Sequence, residues 1–472
     1  MHRCWRRQSL FAVLATLACA DDHVDAGPEA TDSSTSTTGG ATTGSTISAS
    51  AESTSESTAA DEDGSTGAQA LCGNGIVESG EQCDGGEIAG LPCPVTCAFD
   101  PGQELWVARL GEAGIPEFAG GIAVDDIGAV FVGGYFADPD FIVYGRVARL
   151  EPDGTWTWSQ TTSSSTADVA HEYLDVDVDA EGDLVFAAGE IGNLCGLSAW
   201  TRSGDLAWTV THDPGGPDSR FKAESVVSMP RGRVLVACAQ TDPAGVNPLH
   251  LLEYDRQGEL IVTTVIDDPV PSPSNVIVDP QLARSVTGQS FAFGCGAPVP
   301  RPFDAWISVY DARGVPLWDM TADGPVDFDV DYYSQVAFGP DDGIVAVGTF
   351  HAESSDIWVH AFDADGTQRW RATYSDPVFE DVGTGAAVGT DGSVFAHGYT
   401  RVDDAGDVDH WLRKYDSEGT ELWTQTWSDP DSSFSWDYGS ELAIDPSGFV
   451  LALGTAYTPD GEQDVIVRKI AP

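Results

Sequence analysis

Positive charge is what this sequence has least of. Only 22 Lys and Arg stand against 75 Asp and Glu, a formal charge of −53 over 472 residues. Binding nucleic acid needs basic surface to displace condensed counterions, so nucleic acid is excluded as a default partner. The same deficit argues against attraction to anionic lipid surfaces. What it does suit is a soluble, self-repelling acidic surface in a salty medium. Beyond the first twenty residues no stretch is long and apolar enough to span a bilayer. Catalytic signatures are missing too: there is no Gly-x-Ser-x-Gly elbow, phosphate-binding glycine loop or His-Glu-x-x-His pair. His171, His351, His360, His397 and His410 are dispersed, with no two at metal-ligand spacing.

Residues 21–70 lack any aromatic side chain, Lys or Arg. Such Ser, Thr, Gly and acid-rich composition buries too little apolar area to offset ordering entropy, so residues 19–70 read as a flexible tether. A coil of this length has a typical span of roughly 40 Å. Ahead of it, Arg3, Arg6 and Arg7 precede the apolar run Leu10 to Ala18, so residues 1–18 read as an export signal. Thr16-Leu17-Ala18-Cys19 resembles a bacterial lipobox, which implies lipidation of Cys19; Thr16 stands where Leu is usual. Ala18-Cys19-Ala20 alternatively fits ordinary signal peptidase. The long tether favours lipidation.

Cys72, Cys83, Cys93 and Cys97 crowd into residues 71–98. In an exported chain this reads as a small knob stapled by two disulfides, with three pairings open. A metal knuckle is the alternative, disfavoured because Cys93-x-x-x-Cys97 is the tightest pair and no His lies nearby. The run Cys72-Gly73-Asn74-Gly75, then Gly80-Glu81-Gln82-Cys83-Asp84, resembles the cysteine-rich repeat of secreted myxobacterial proteins. That resemblance implies an extracellular location and no defined activity.

From residue 99 the chain repeats itself. Gly128, Gly182, Gly232, Gly288, Gly343, Gly392 and Gly448 recur at separations of 54, 50, 56, 55, 49 and 56. Each marks a tight turn between two apolar stretches, as in Ile122-Ala123-Val124-Asp125 to Gly128 and on to Val132. A second glycine series is followed four residues later by tryptophan: Gly102 and Trp106, Gly154 and Trp158, Gly204 and Trp208, Gly314 and Trp318, Gly366 and Trp370, Gly419 and Trp423. Gly258 leads instead to Val262. Each unit thus predicts four short strands in a meander, A to D, with tight A–B and C–D turns and longer B–C and D–A loops. Repeats of this length that bury their apolar faces only against neighbours are propeller blades. Residues 99–472 accommodate seven.

The last unit stops after a third strand, Val465 to Ile470, and lacks its fourth. Phe99-Asp100-Pro101-Gly102-Gln103-Glu104-Leu105-Trp106 matches Phe362-Asp363 to Gly366 and Trp370, with one turn residue fewer. The first strand of the domain is therefore expected to complete the last blade and close the ring. The expected fold is all-β: a seven-bladed β-propeller of four-stranded antiparallel blades. The Asp-x-x-Gly-x-x-x-Trp element resembles the blades of quinoprotein-like propellers. The whole unit, from Gly121-Ile122-Ala123-Val124-Asp125 through Val132-Gly133-Gly134-Tyr135 to Pro152-Asp153-Gly154, is similar to the secreted bacterial seven-bladed propeller repeat. Quinoprotein dehydrogenases are expected, by family, to carry adjacent cysteines near their cofactor, and no Cys-Cys pair exists here. One fold hosts many functions, so the resemblance does not name an activity.

The long loops share one face, where binding residues concentrate on a rigid scaffold. Residues 211–222, 239–248, 296–305, 320–333 and 425–439 belong to it. Ten to twelve residues before the first-series glycines stand Glu117, Glu172, Asp331, Asp381 and Asp437, with Lys222 and Ile277 in the two remaining blades. Converging on a channel mouth, such carboxylates are candidate ligands for calcium. The competing and favoured reading gives each acid a turn to cap or a backbone N–H to accept. Phe118, Tyr173, Tyr332 and Tyr438 beside them are expected to wedge between blades. Asp175, Asp177 and Asp179, and likewise Asp327, Asp329 and Asp331, alternate as strand residues do and are expected to line a solvated face. Cys195, Cys238 and Cys295 fall in three consecutive blades; Cys238 and Cys295 both end second strands, so a bridge between those two is geometrically open, but buried thiols are the expectation.

The expected product is an exported, lipid-anchored and monomeric propeller acting without catalysis, as a binding or scaffold module for a protein, peptide or glycan. It needs no cofactor, calcium being the one candidate ion. A structural lipoprotein of envelope assembly is the second reading, by analogy with the eight-bladed lipoprotein of outer-membrane protein assembly. A carboxylate-based lyase or glycosidase is the third.

Overall fold

A computed structural model describes residues 72–73, 81–88, 91–140, 142–163, 171–179, 181–213, 220–241, 246–247, 249–266, 275–276, 278–298, 303–324, 331–351, 354–376, 379–403, 406–430, 436–458 and 462–472. Residues 1–71, with the expected export signal, Cys19 and the expected tether, lie outside these residues, as do Ile277, Asp327 and Asp329.

Seven four-stranded antiparallel sheets form the blades of a β-propeller. Blade 1 runs through Glu117–Val124, Val130–Ala137, Val143–Leu150 and Trp156–Ser163. Blades 2 to 6 follow at 171–212, 220–266, 278–322, 332–374 and 381–427. Blade 7 takes three strands from the end of the chain, Tyr438–Ile444, Val450–Tyr457 and Gln463–Ile470, and its fourth, Glu104–Leu110, from the start. The register of that closing pair runs from Glu104 opposite Ile470 to Leu110 opposite Val465. The first strands of the blades touch one another in sequence around the ring, and Tyr438–Ile444 meets Glu117–Val124 to complete it.

The turn chemistry explains part of the acid content. Asp125, Asp179, Asp255, Asp311, Asp416 and Asp445 each accept two backbone N–H groups from the residues of their own turn; for Asp416 these are Glu418 at 3.0 Å and Thr420 at 2.7 Å. A carboxylate here stands in for the turn's missing partner. The glycine three residues on takes a left-handed φ, +83° at Gly128 and +84° at Gly419, which a side chain would strain.

The core lies between blades. Seven apolar clusters each join two neighbours, from Phe131 and Val147 against Tyr173 and Val176 at the first joint to Leu451 and Val467 against Ile122 and Val130 at the last. An isolated blade buries little of this surface, so the blades stand or fall together. At the rim the repeated tryptophans tie joints shut. Trp158 donates its indole N–H to the carbonyl of Arg202 at 2.9 Å, and Trp208, Trp318 and Trp370 do the same to Arg256, Ala364 and Ser417.

The cysteine-rich segment is stapled by Cys72–Cys97 and Cys83–Cys93, one nested in the other. It packs through Cys83 and Phe99 on Leu105 and Phe449 of blade 7, the two phenyl rings meeting edge to face at 5.8 Å. The expectation of three buried thiols is corrected: Cys195 and Cys238 form a disulfide between blades 2 and 3, and Cys295 is a buried thiol. The third strand of one blade and the second of the next face the same interblade layer, which brings these two Cα atoms to 5.9 Å.

Candidate functional site

The five acids singled out by spacing sit where loops enter the first strands, and each has a local partner. Asp331 accepts the N–H groups of Gly324 at 2.5 Å and His351 at 3.0 Å. Asp381 accepts the N–H of Asp376 at 2.7 Å and the hydroxyl of Thr400. Asp437 accepts the N–H groups of Asp429 at 2.7 Å and Tyr457 at 3.2 Å. These three therefore pin a D–A loop to the end of the second strand of their own blade. Glu117 receives the Arg146 guanidinium at 2.6 Å, and Glu172 lies 3.6 Å from the Lys222 ammonium of the next blade. Burial raises Asp381 and Asp437 to about 6, against the pull of their hydrogen bonds. Burial also pushes Glu117 up to about 7 despite Arg146.

No three of these carboxylates come together. Among the described residues the only three-membered group at ligand distance is Glu81, Asp84 and Cys97, and Cys97 is already spent in a disulfide. The neighbouring aromatics divide. Tyr173 and Tyr438 meet other blades: Tyr173 is fully buried and hydrogen-bonds Ser198 at 2.8 Å while reaching Thr162 of blade 1, and Tyr438 packs edge-on against Tyr399 of blade 6. Phe118 stacks instead on Tyr135 within its own blade.

A second set of polar groups, not expected from the sequence, lines the channel. All seven first strands carry a β-bulge, for instance between Tyr173 and Asp175, Ala223 and Ser225, Tyr333 and Gln335, and Gly439 and Glu441. A bulge re-aims the residue that follows it. In four blades that residue reaches the first strand of the next blade. Asp175 accepts the N–H of Val226 at 2.8 Å and the hydroxyl of Ser225 at 2.6 Å. Ser225 accepts the N–H of Leu282, Gln335 that of Ala386, and Glu441 that of Ile122. The Gln335 amide also donates to Glu441, from blade 5 to blade 7. Across from the bulge the second strand carries a glycine in every blade but the third, where Cys238 stands instead; a Cβ on Gly189 would lie 1.8 Å from the Glu172 carbonyl oxygen.

The channel opens into a cavity of about 480 Å³ lined by Asp175, Asp177, Arg284 and Glu441 among aliphatic side chains. The expected solvated face of Asp175 and Asp179 is thereby corrected: both are buried, Asp175 because the bulge at Leu174 aims it at the next blade and Asp179 because it caps its own turn. Burial pushes the Asp175 carboxyl up to about 7 against its hydrogen bonds. Burial, together with the charges of Asp175 and Asp177, raises Glu441 well above the ordinary carboxylate range. Burial raises Asp177 as well, with Arg284 opposing it. These groups staple blades; most of their oxygens are taken by backbone N–H groups.

On the loop face, neighbouring connections brace one another. Val246–Asn247 pairs in parallel with Asn275–Val276, and Val408 bridges to Trp436. Trp436 in turn meets Tyr457 edge-on at 5.4 Å.

Residues 95–262 match the family described as "Outer membrane protein assembly factor BamB". The match covers blades 1 and 2 and most of blade 3. No curated protein matches the chain in sequence. Among solved structures, similar folds include a protein of unknown function from Dyadobacter fermentans DSM 18053, 12% identical with a TM-score of 0.49, the match covering 79% of this chain and 100% of that one. Kuenenia stuttgartiensis hydrazine synthase is 12% identical with a TM-score of 0.48 over 72% of this chain and 94% of that one. The WD40 domain of Toxoplasma gondii coronin is 9% identical with a TM-score of 0.44 over 79% and 88%. These likenesses concern the propeller fold alone.

Proposed function

We propose that the chain is an exported propeller acting as a non-catalytic binding and scaffold module, with its loop-rich face as the contact surface. The observation that carries this reading is how the carboxylates are used. Asp331, Asp381 and Asp437 hold loops in place, and Asp175 and Glu441 hold blades together, so the acids on which acid–base chemistry would draw serve the rigidity of the ring. A rigid ring with braced loops is what a binding face requires. The disulfides Cys72–Cys97, Cys83–Cys93 and Cys195–Cys238 favour an oxidising compartment outside the cytoplasm. The family match over residues 95–262 favours a protein partner in the cell envelope over a glycan. Anchoring through a lipid on Cys19 would let the tether hold the ring clear of the membrane.

The test is site-specific photo-crosslinking in the native envelope. Probes at Asp140 and Trp436, on the loop face, are expected to capture a common partner, and probes at Asp153 and Gln257, on the turn face, are not. Capture confined to the turn face would overturn the assignment. Loss of metabolic lipid labelling in Cys19→Ser tests the anchor separately.

A further inference from the structure

One joint of the ring lacks its tryptophan and keeps everything else the tryptophan needs. In five joints an indole lies over the glycine of the next blade's C–D turn, so close that a Cβ on Gly154, Gly204, Gly258, Gly366 or Gly419 would fall 2.5–3.0 Å from the ring. In each, the indole N–H points at the carbonyl two residues before that glycine. Between blades 3 and 4 the position is Val262, and nothing lies within 4 Å of the corresponding Cβ site at Gly314. The carbonyl in the acceptor position belongs to Ala312.

The walls of the seat are intact. Tyr310 stands on its third strand where Phe362 and Tyr415 stand on theirs, and those two rings meet Trp318 and Trp370 at 6.0 and 5.6 Å. Tyr310 is held by stacking on Phe291 at 5.3 Å. Leu235 and Leu251, together with the ion-paired Arg233 and Glu253, complete a concave surface with Val262 and Gly314. The strand that should carry the indole exposes four large apolar side chains, where the fourth strands of blades 2, 4 and 6 expose one each, Leu206, Leu317 and Leu422. In Leu260–Ile266, the outermost strand of blade 3, Leu260, Ile261, Val262 and Val265 are 43%, 53%, 47% and 51% exposed. The equivalent strand of blade 5, Gln368–Tyr374, carries Gln, Arg and Thr around its tryptophan.

We propose that this joint is a receptor for a tryptophan side chain carried by an extended segment of a partner protein. The partner strand would lie along the free edge of Leu260–Ile266, as exposed edges accept an added strand. Its indole would rest on Gly314 between Tyr310 and Leu235 and donate to the Ala312 carbonyl. The occupant comes from outside the chain: thirteen of the 14 tryptophans are placed elsewhere in the described residues, and the last, Trp5, falls in the export signal. The site lies on the rim, so it stands or falls independently of the loop face.

Titration of the full exported chain with N-acetyltryptophanamide, followed by calorimetry and thermal melting, tests the proposal. Saturable one-site binding with a rise in melting temperature is expected. The 1-methylindole analogue, which cannot donate to Ala312, is expected to bind about fivefold more weakly, the worth of one hydrogen bond. Val262→Trp fills the seat from within, so it should melt higher than the parent and no longer bind. Val262→Glu, at an exposed position that tolerates charge, should lose binding while folding normally. Absence of saturable binding, equal affinity for the methylated analogue, or undiminished binding by both variants overturns the proposal. Concentration-dependent dimerisation abolished by Val262→Glu would overturn it too, by making a second copy the occupant.

Discussion

The indole Nε1 of Trp106 donates to the carbonyl of Pro152 across 3.1 Å, joining the strand that closes blade 7 to the outer turn of blade 1. Two segments 46 residues apart in sequence thus meet at the seam where the ring closes. Trp106→Ala removes this bond and the packing of the ring on Gly154, and is expected to cost on the order of 2–4 kcal/mol in denaturant unfolding. Removing residues 100–110 should do far more. Blade 7 would lose its fourth strand and the joint to blade 1 its clamp, giving a larger radius in X-ray scattering and an early, broad melt. A truncated chain as compact and heat-resistant as the parent would refute ring closure by this strand.

The tryptophans do not all make the same bonds, and conservative substitution separates them. Trp158 bonds to Arg202 at 2.9 Å, whereas the Nε1 of Trp423, which faces the shorter turn at Gly102, has no acceptor. Phenylalanine keeps the ring packing and deletes the N–H. Trp158→Phe is therefore expected to cost about 1 kcal/mol and Trp423→Phe little. Equal losses in urea unfolding would mean that ring area, not the hydrogen bond, sets the contribution.

The features legible in the sequence were those with a repeat of their own. The Gly128 series marked turns, the Trp158 series marked fourth strands, and the odd ends at Phe99 and Ile470 marked the closing pair. What was missed follows from a shift of one residue. Alternation puts Asp175 and Asp177 on a solvated face only if the strand is regular, and the bulge at Leu174 turns Asp175 inward instead. Nothing in Tyr173-Leu174-Asp175 announces that bulge, since the residue after it is Asp, Ser, Gln, Gly or Glu according to blade. The Cys195–Cys238 pair was hidden for another reason. It joins a third strand to the next blade's second strand, a proximity fixed by how blades stack, not by their spacing in the chain.

That disulfide makes a prediction of its own. It locks blades 2 and 3 across the joint that precedes the one lacking tryptophan, closing a loop of 43 residues. Removing such a cross-link typically costs about 2–4 kcal/mol. The double variant Cys195→Ala with Cys238→Ala should lower the melting temperature of the whole ring. Cys72→Ala with Cys97→Ala, in the segment packed beside blade 7, should lower it much less. A melt insensitive to the first pair and sensitive to the second would invert this order.

Stability should depend on pH through two sets of buried groups that pull in opposite directions. Asp175 is raised by burial to about 7, from an ordinary 3.8. The folded state holds a proton there that the unfolded chain has lost, so this contribution is complete below about pH 4 and is lost as pH rises through 7. His397 is lowered by burial, with help from the Arg468 charge, to about 3 from 6.5, and neither ring nitrogen has a hydrogen-bond partner. Its contribution is present above pH 6.5 and is lost as pH falls toward 3. His410, whose ring lies 5.5 Å away, is lowered by the same burial. Between pH 8 and 6.5 the carboxylate effect acts almost alone, so unfolding free energy should rise as pH falls over that window. Below 6.5 the histidines oppose it, each by about 1.4 kcal/mol per pH unit at most. Asp175→Asn, which keeps an acceptor for the Val226 N–H, should flatten the upper limb. His397→Phe should flatten the lower one. Urea unfolding from pH 4 to 8 reads both limbs, and an unchanged upper slope in Asp175→Asn would show that another group holds the proton.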